Sequence, residues 1–452
     1  MNVLVVGLGR TGLAAANRLS GLGADVTVTD TASEDNLKPQ IASLSGDVKK
    51  IALGGYGRVL EVMFDLVVAS PGVWWDDELL ENFRKKGIEV VSEIELAYRL
   101  APRKWIGITG TNGKTTTTSL VGAMLREAGI PSAVCGNIGN PAIGEDAAFK
   151  EETIVMAEIS SFQLEGVTNF APWISAILNI APDHLDRHVS MENYASIKSL
   201  IFARQKPSDV CVLNMDDPIT AGIGNGVCCR VAGFSSKRPL DDGAFLDSGS
   251  IVISKGGSRV EIGDAGRMKI KGLANIENAL AACAIADAAG AGPEQIARAL
   301  FGFSAIPNRM EPVAELNGVT YINDSKGTNV SATLKALDGL DSPVILIMGG
   351  RDKDGDFAKL ADVIMRNGIP VYLIGEAAPK IAAALKGHKK VYMEKNLDKA
   401  VRTAAAEAEP GHTVLFSPAC ASFDMFKNYE ERGERFRQAV AAMKPGKGAV
   451  NA

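Results

Sequence analysis

An α/β protein of three domains is the fold class this sequence predicts, and three observations carry the prediction. Short apolar runs of strand type alternate with helical patterns along almost the whole chain, as in a parallel sheet with helices on both faces. The alternation restarts twice, at Lys104 and again near Ile306-Pro307. A length of 452 residues exceeds one ordinary core, so two to four domains are expected.

The first unit opens with NVLVV (2–6), a glycine turn, and a helical pattern through Ala14, Ala15 and Leu19. DVTVT then ends at Asp30, DLVVA (65–69) is stopped by Ser70-Pro71-Gly72, and IEVV (88–91) precedes a helix, SEIELAYRLAP, closed by Pro102. GLGRTG (7–12) with Asp30 after the second strand is a passable dinucleotide fingerprint. The same turn holds any diphosphate, and a UDP-sugar also brings a pyrophosphate and a ribose, so both ligands stay open. Residues 1–95 are thus expected to form a Rossmann-like domain.

KWIGIT (104–109) opens the second unit and runs into GITGTNGKTTT (107–117). A strand, a Gly-rich turn and a helix start in that order present N–H groups to phosphate oxygens. Lys114 would neutralise phosphate charge and the Thr115 hydroxyl would hold Mg²⁺. The spacing departs from the strict Walker pattern, which would put Gly where Ile108 stands. TIVMAEIS (153–160) and WISAILNI (173–180) are continuous apolar strands. The first delivers Glu158, where a carboxylate can complete a Mg²⁺ shell. The second leads to a D-H-x-D cluster containing His184. Helical patterns at 191–205 and 275–290 flank a Gly- and Ser-dense stretch, about 228–272, expected to be an antiparallel insertion. By itself Lys198 reads as a solvated helix lysine, and Asn275 and Asn278 as helix caps. Residues 96–305 are therefore expected to be a P-loop ATPase domain with a β-rich insertion. A second Rossmann-like domain, 306–452, follows with strands VTYIN (319–323), PVILIMG (343–349), VYLIG (371–375) and HTVLFSP (412–418).

Composition narrows the function classes. A net charge of −5 gives no global basic field for nucleic acid. No apolar run reaches the roughly 18 residues of a membrane span, and no signal-peptide pattern is visible. The six cysteines have no metal-type or paired spacing, which fits a reduced, cytoplasmic protein. A monomer is expected.

TGTNGKTT resembles the loop of the Mur ligases and folylpolyglutamate synthetases. AEISSFQLE (157–165), NIAPDHLDRH (179–188), MENYASIKSLIF (191–202) and GLANIENALAAC (272–283) extend the resemblance. It implies ATP bound by Gly110, Thr111, Asn112, Gly113, Lys114, Thr115 and Thr116, with Asn275 at the adenine and Arg309 and Asp324 reaching in from the last domain. It also implies two Mg²⁺ ions, held through Thr115, Glu158, His184 and a carbamate on Lys198. Lys114, Glu158, His184 and Lys198 would then be the catalytic set. A His common in the family is replaced here by Asn308, which removes one contact. The resemblance turns the first domain towards UDP: Arg10, Thr11, Asp30 and Thr31 at the diphosphate end, Ser70, Pro71 and Gly72 at the uracil, and Asn137 at the sugar.

SPACASFDMFKNYEERG (417–433) resembles the family member that joins D-glutamate to UDP-N-acetylmuramoyl-L-alanine. Lys326, Thr328, Lys353, Ser422 and Tyr429 would form its amino-acid pocket, with Tyr429 where the family often carries Phe. The implied reaction passes through an acyl phosphate. Rival readings are another peptide ligase of the family, adding L-alanine, or a folate polyglutamylator; an NAD(P) dehydrogenase built on GLGRTG; and a nucleotide switch that slowly hydrolyses ATP.

Overall fold

The computed structural model describes residues 1–443 apart from 47, 49, 56, 58, 146–148, 305, 341, 353 and 354. Three sheets follow one another along the chain. The first comprises β1 (Asn2–Val6), β2 (Asp25–Asp30), β3 (Lys50–Leu53), β4 (Leu66–Ala69) and β5 (Glu89–Ser92) in the order β3-β2-β1-β4-β5, with each neighbouring pair parallel. The central strand is apolar from Val3 onward because both its faces are covered, and Val3, Leu4, Val5 and Val6 are fully buried.

The second sheet comprises β6 (Trp105–Thr109), β7 (Ser132–Gly136), β8 (Ile154–Glu158), β9 (Ile174–Ile177), β10 (Val210–Asn214), β11 (Arg230–Ser235), β12 (Gly243–Asp247), β13 (Ser250–Lys255) and β14 (Ser258–Asp264). Their order is β14-β13-β12-β11-β10-β9-β6-β8-β7. The stretch expected to be an antiparallel insertion instead continues this sheet: β11 and β12 pair parallel, and direction first reverses between β12 and β13. The helix Pro218–Ile223 between β10 and β11 supplies the crossover that parallel pairing needs. Ser248 and Gly249, both at positive φ, make the tight reversal.

Trp105, fully buried, meets Tyr98 and Phe170 edge to face at 5.8 and 5.9 Å. One apolar core runs from Val3 and Val5 through Ile94 and Ala97 to Trp105, Val155 and Ile177, so the first two sheets share it. Accordingly Met1–Ile180, Arg187–Gly263 and Asn278–Leu300 form one compact unit, and Ala181–Asp186, Asp264–Glu277 and the chain from Phe301 onward form another.

The second unit contains the third sheet: β15 (Glu311–Leu316), β16 (Val319–Asn323), β17 (Val344–Gly349), β18 (Val371–Ile374), β19 (Val391–Met393) and β20 (Thr413–Phe416), in the order β15-β16-β20-β17-β18-β19. Only β15 runs antiparallel. In each sheet the strand order switches direction at an interior strand, and ligands of open α/β sheets bind beyond the carboxyl ends of the strands at such points. The glycine turn after β1, the phosphate loop after β6 and Asp324 after β16 all lie at such ends. Among the described residues no helix is long and apolar enough to cross a membrane.

Candidate active site

The phosphate loop leaves β6 through Gly110 (φ +150) and enters the helix Lys114–Glu127 through Gly113 (φ +84), its N-cap. A side chain at Gly113 would place its Cβ 2.1 Å from Asn278 Oδ1, so any side chain there would have to displace the Asn278 amide. The end of β9 fixes the turn. Asn179 accepts the Thr111 N–H on its carbonyl at 2.9 Å and the Asn112 N–H on its side chain at 2.8 Å, and returns a bond to Asn112 O at 3.1 Å. No acidic residue occupies the first turn of the helix, which leaves its positive end to an anion. Thr116 is buried behind the loop, and Thr117 donates to Asn278 Oδ1 at 3.4 Å.

Five predicted residues gather here. Glu158, 2% exposed at the end of β8, accepts from Thr115 Oγ1 at 2.6 Å and from Asn137 Nδ2 at 2.7 Å. Asn137 was expected at the sugar, and its backbone is also tied to the Glu158 carbonyl at 2.8 Å. Lys114 Nζ folds back onto the carbonyls of Gly110 and Thr111 at 2.8 and 2.9 Å. Lys198 is no solvated lysine. It is 1% exposed, donates to the same Gly110 carbonyl at 3.0 Å, and lies 4.5 Å from the centre of the Tyr194 ring. Two ammonium groups on one carbonyl create a concentrated positive field, suited to polyanionic phosphate.

A divalent ion fits the donor set on one side. Hard-ion ligation needs oxygens, and Thr115 Oγ1 and Glu158 Oε2 already converge within 2.6 Å. Among the described residues no group of three or more His, Cys, Asp or Glu forms a metal cage. An ion here would therefore share its shell with phosphate oxygens. His184 belongs to the second compact unit, takes a left-handed φ of 54°, and sits with Nε2 3.7 Å from Asp183 Oδ2.

In the first sheet, Gly7 (φ +88) turns the chain into the helix Arg10–Gly21, again without an acid in its first turn. Asp30 braces this turn with one carboxylate oxygen, accepting from Leu8 N at 2.7 Å, while the other accepts from Ala32 N at 2.8 Å beyond its own strand. That occupation weakens the dinucleotide reading, in which Asp30 would hold a ribose hydroxyl. Ser70 Oγ donates to Gly7 O at 2.7 Å, joining the Ser70-Pro71-Gly72 turn to the glycine turn. Arg10, Thr31 and Gly72 are exposed, and Thr11 and Pro71 are half-buried.

In the second unit, Asn275 lies in the first turn of the helix Leu273–Ala288, and its Nδ2 donates to Lys271 O at 2.8 Å. Asp324 is buried and accepts from Ser417 Oγ at 2.8 Å and Met310 N at 3.2 Å. Burial pushes its carboxyl up to about 6, against the pull of Ser417, Met310 N–H, Arg309 and Arg432. Asn308 adopts φ +66, a region Asn tolerates, and accepts from Asn323 Nδ2 at 2.9 Å. Lys326 Nζ sits 3.7 Å from the centre of the Tyr429 ring. Ser422 is 2% exposed, Thr328 is half-buried, and Lys353 lies outside the described residues.

Arg432, which sequence reasoning passed over, organises this pocket. It is fully buried and donates to Ser325 Oγ (3.0 Å), Ser325 O (2.7 Å), Cys420 O (3.1 Å) and Ala421 O (3.0 Å). It thereby joins the residue before Lys326 to the residue before Ser422. Burial lowers its guanidinium to about 10, still protonated at neutral pH. The only sequence signal was its place inside the 417–433 run.

Comparison with known proteins agrees along the chain. The N-terminal domain model of D-glutamate-ligase-like Mur ligases matches residues 1–92, the Mur ligase middle domain 108–286, and the Mur ligase glutamate ligase domain 308–420. UDP-N-acetylmuramoylalanine–D-glutamate ligases of Pelotomaculum thermopropionicum and Koribacter versatilis are 42% and 44% identical, over 98% of this chain and 98% and 97% of theirs. Solved structures share the fold: a pseudomurein peptide ligase type C from Methanothermus fervidus (TM-score 0.61, 21% identity, 98% of this chain and 100% of that one) and UDP-N-acetylmuramate-alanine ligase MurC from Thermotoga maritima (0.60, 19%, 98% and 100%). MurF ligase from Thermotoga maritima in complex with ADP has TM-score 0.59 at 17% identity, over 84% of this chain and 89% of that one. With three domain models in family order and relatives above 40% identity over nearly the full length, this chain belongs to the Mur ligase family.

Proposed function

We propose that the chain joins D-glutamate to UDP-N-acetylmuramoyl-L-alanine with ATP, releasing ADP and phosphate in peptidoglycan precursor synthesis. The full-length relatives carry that name, and one observation carries the chemistry. Lys114 and Lys198 meet on the Gly110 carbonyl of the glycine loop, and Thr115, the residue after Lys114, meets Glu158.

A free carboxylate does not react with an amine, because its leaving group is too poor. The L-alanyl carboxylate attacks the γ-phosphorus in line, forming a C–O–P bond as the bond to ADP breaks. The amine of D-glutamate then attacks the acyl carbon, the C–O bond breaks, phosphate departs, and the amine nitrogen loses its proton. Lys114 and the loop N–H groups hold the β- and γ-phosphates against mutual repulsion. Glu158 orients the Thr115 hydroxyl, and these two would hold Mg²⁺. Bound there, the ion supplies charge neutralisation to the transferring phosphoryl group.

The finer reading follows the resemblance. ATP is held by residues 110–116, Asn275, Arg309 and Asp324. A second ion would be held by His184 and by Lys198 as a carbamate, which would replace a positive charge with a negative one that a cation favours. Arg10, Thr11, Asp30, Thr31, Ser70, Pro71, Gly72 and Asn137 take the UDP-sugar, and Lys326, Thr328, Lys353, Ser422 and Tyr429 take D-glutamate. Domain limits at 1–95, 96–305 and 306–452, a monomer, and a cytoplasmic location complete the proposal, the last supported by the absence of paired cysteines.

Phosphate release from ATP with UDP-N-acetylmuramoyl-L-alanine tests the proposal when D-glutamate, L-glutamate and L-alanine are offered in turn. Release confined to D-glutamate is expected. Release indifferent to the amino acid would overturn it in favour of an ATPase.

A further inference from the structure

The turn after β4, Pro71 to Val73, exposes carbonyl oxygens that a strand end cannot satisfy, and one side chain from a distant part of the chain answers two of them. Arg187, following the D-H-x-D cluster, donates from Nη1 to Pro71 O at 2.8 Å and from Nη2 to Val73 O at 2.9 Å. Nη2 also pairs with the Glu165 carboxylate. Both side chains are only 7% exposed, and the guanidinium lies 4.1 Å from the centre of the Phe162 ring.

The other groups facing this cluster tie it down. His188, fully buried, meets Ser161 Oγ through Nε2 at 2.9 Å and stacks on Tyr194 at 4.9 Å, with Nδ1 3.6 Å from Glu165 Oε1. Burial raises the Glu165 carboxyl, Arg187 pulls it back, and Asp76 nearby raises it further. Glu165 closes the same AEISSFQLE segment that Glu158 opens. Arg187 therefore spans from the segment that orients Thr115 to the turn that Ser70 ties to the glycine loop of the first sheet.

We propose that Arg187 is a positioning residue for the nucleoside-diphosphate end of the substrate, holding the Ser70–Val73 turn in register with the phosphate-loop segment through Glu165. This rests on the reading that the turn receives the uracil side. The fork geometry is essential, because one guanidinium reaches two carbonyls and a carboxylate at once, which an ammonium does not. Nothing in the role needs Arg187 to touch ATP.

The test compares wild type, Arg187→Ala, Arg187→Lys and Glu165→Gln in the full chain, by calorimetric binding of UDP and by steady-state kinetics. Arg187→Ala is expected to weaken UDP binding and raise KM for UDP-N-acetylmuramoyl-L-alanine about 10- to 100-fold, the scale of a misplaced binding group, with KM for ATP within about twofold. Arg187→Lys recovers part of the loss, and Glu165→Gln shows a smaller loss of the same kind. If Arg187→Ala does not fold, the other two variants carry the same comparison. UDP affinity unchanged in the variants, or UDP and ATP affinities falling together, would overturn the proposal. Failure of wild type to bind UDP at all would instead overturn the reading of the turn on which it stands.

Discussion

Two glycine turns in this molecule have the same local plan and opposite supports. After β1 and after β6 alike, a buried strand runs into a positive-φ glycine and then a helix whose first turn carries no acid. The turn after β1 is braced by groups that satisfy its own backbone: Asp30 takes Leu8 N, and Ser70 gives to Gly7 O. The turn after β6 is braced from Asn179, while the neighbouring strand end points Glu158 at a hydroxyl that opens the helix. On the proposed reading, one support makes a cradle for a diphosphate. The other adds a carboxylate and two ammonium groups where charge must be moved. Local sequence makes an anion turn; the adjoining strand decides whether it merely holds phosphate or works on it.

The comparison breaks most sharply at Lys114, which the first turn lacks. Lys114→Ala is expected to lower D-glutamate-dependent phosphate release by about 10²- to 10³-fold, the cost of one transition-state donor, while UDP binding by calorimetry stays unchanged. Equal loss of UDP binding would mean that the two turns do not act separately.

Steric tolerance gives the next contrast. A Cβ on Gly12 would lie 1.8 Å from the Gly7 carbonyl oxygen, a backbone atom, whereas a Cβ on Gly113 meets the movable Asn278 amide. Gly12→Ala should cost about 3 kcal/mol or more of stability. Gly113→Ala should cost about 1–2 kcal/mol through its left-handed backbone and raise KM for ATP. Urea unfolding of both variants checks the order, and a reversed order would refute the difference in rigidity.

Glu93 sharpens the comparison between the cores beneath the turns. It is fully buried, accepts from Ile143 N at 2.8 Å, and burial raises its carboxyl to about 7. The folded chain therefore keeps a proton that the unfolded chain releases in the ordinary carboxylate range, so this contribution to stability falls as pH rises towards 7. Glu93→Gln cannot ionise, and its stability relative to wild type should improve by on the order of 3 kcal/mol between pH 4 and pH 8. Parallel pH dependence in the two proteins would show that Glu93 does not titrate there.

Asp30→Asn is expected to give the smallest effect. The amide keeps one acceptor and loses either the bond from Leu8 N or the local bond from Ala32 N, about 1 kcal/mol of stability, with a modest loss of UDP affinity. A larger loss of UDP affinity than of stability would mean that Asp30 touches the ligand directly.

How much was legible divides along the same lines. Strands buried on both faces, such as β1, β6 and β9, announced themselves as continuous apolar runs. β3 (KIAL) did not, because it is an edge strand with two of its four residues exposed. β15 was missed although Asn317-Gly318, both at positive φ, form the tight turn joining it to β16; that dipeptide was the available signal. The segment 228–272 gave its β character through alternation, but alternation carries no direction, so the parallel pairing of β11 and β12 went unseen. Lys198 was read as solvated on composition alone, since a helix position does not reveal what packs against it.

The sequence by itself determined the phosphate loop, its lysine and hydroxyl, and the membership that three domain models and full-length relatives bear out, because contiguous residues make a strand–turn–helix and its N–H groups. Only the tertiary structure decided that Glu158 holds Thr115, that Lys198 is buried against Gly110, that Asp30 is spent on its own turn, and that Arg432 and Arg187 brace turns far away in sequence. Each depends on a donor and an acceptor brought together across more than twenty residues of chain, and the energy that selects those partners comes from desolvation in a shared core, which no local pattern encodes.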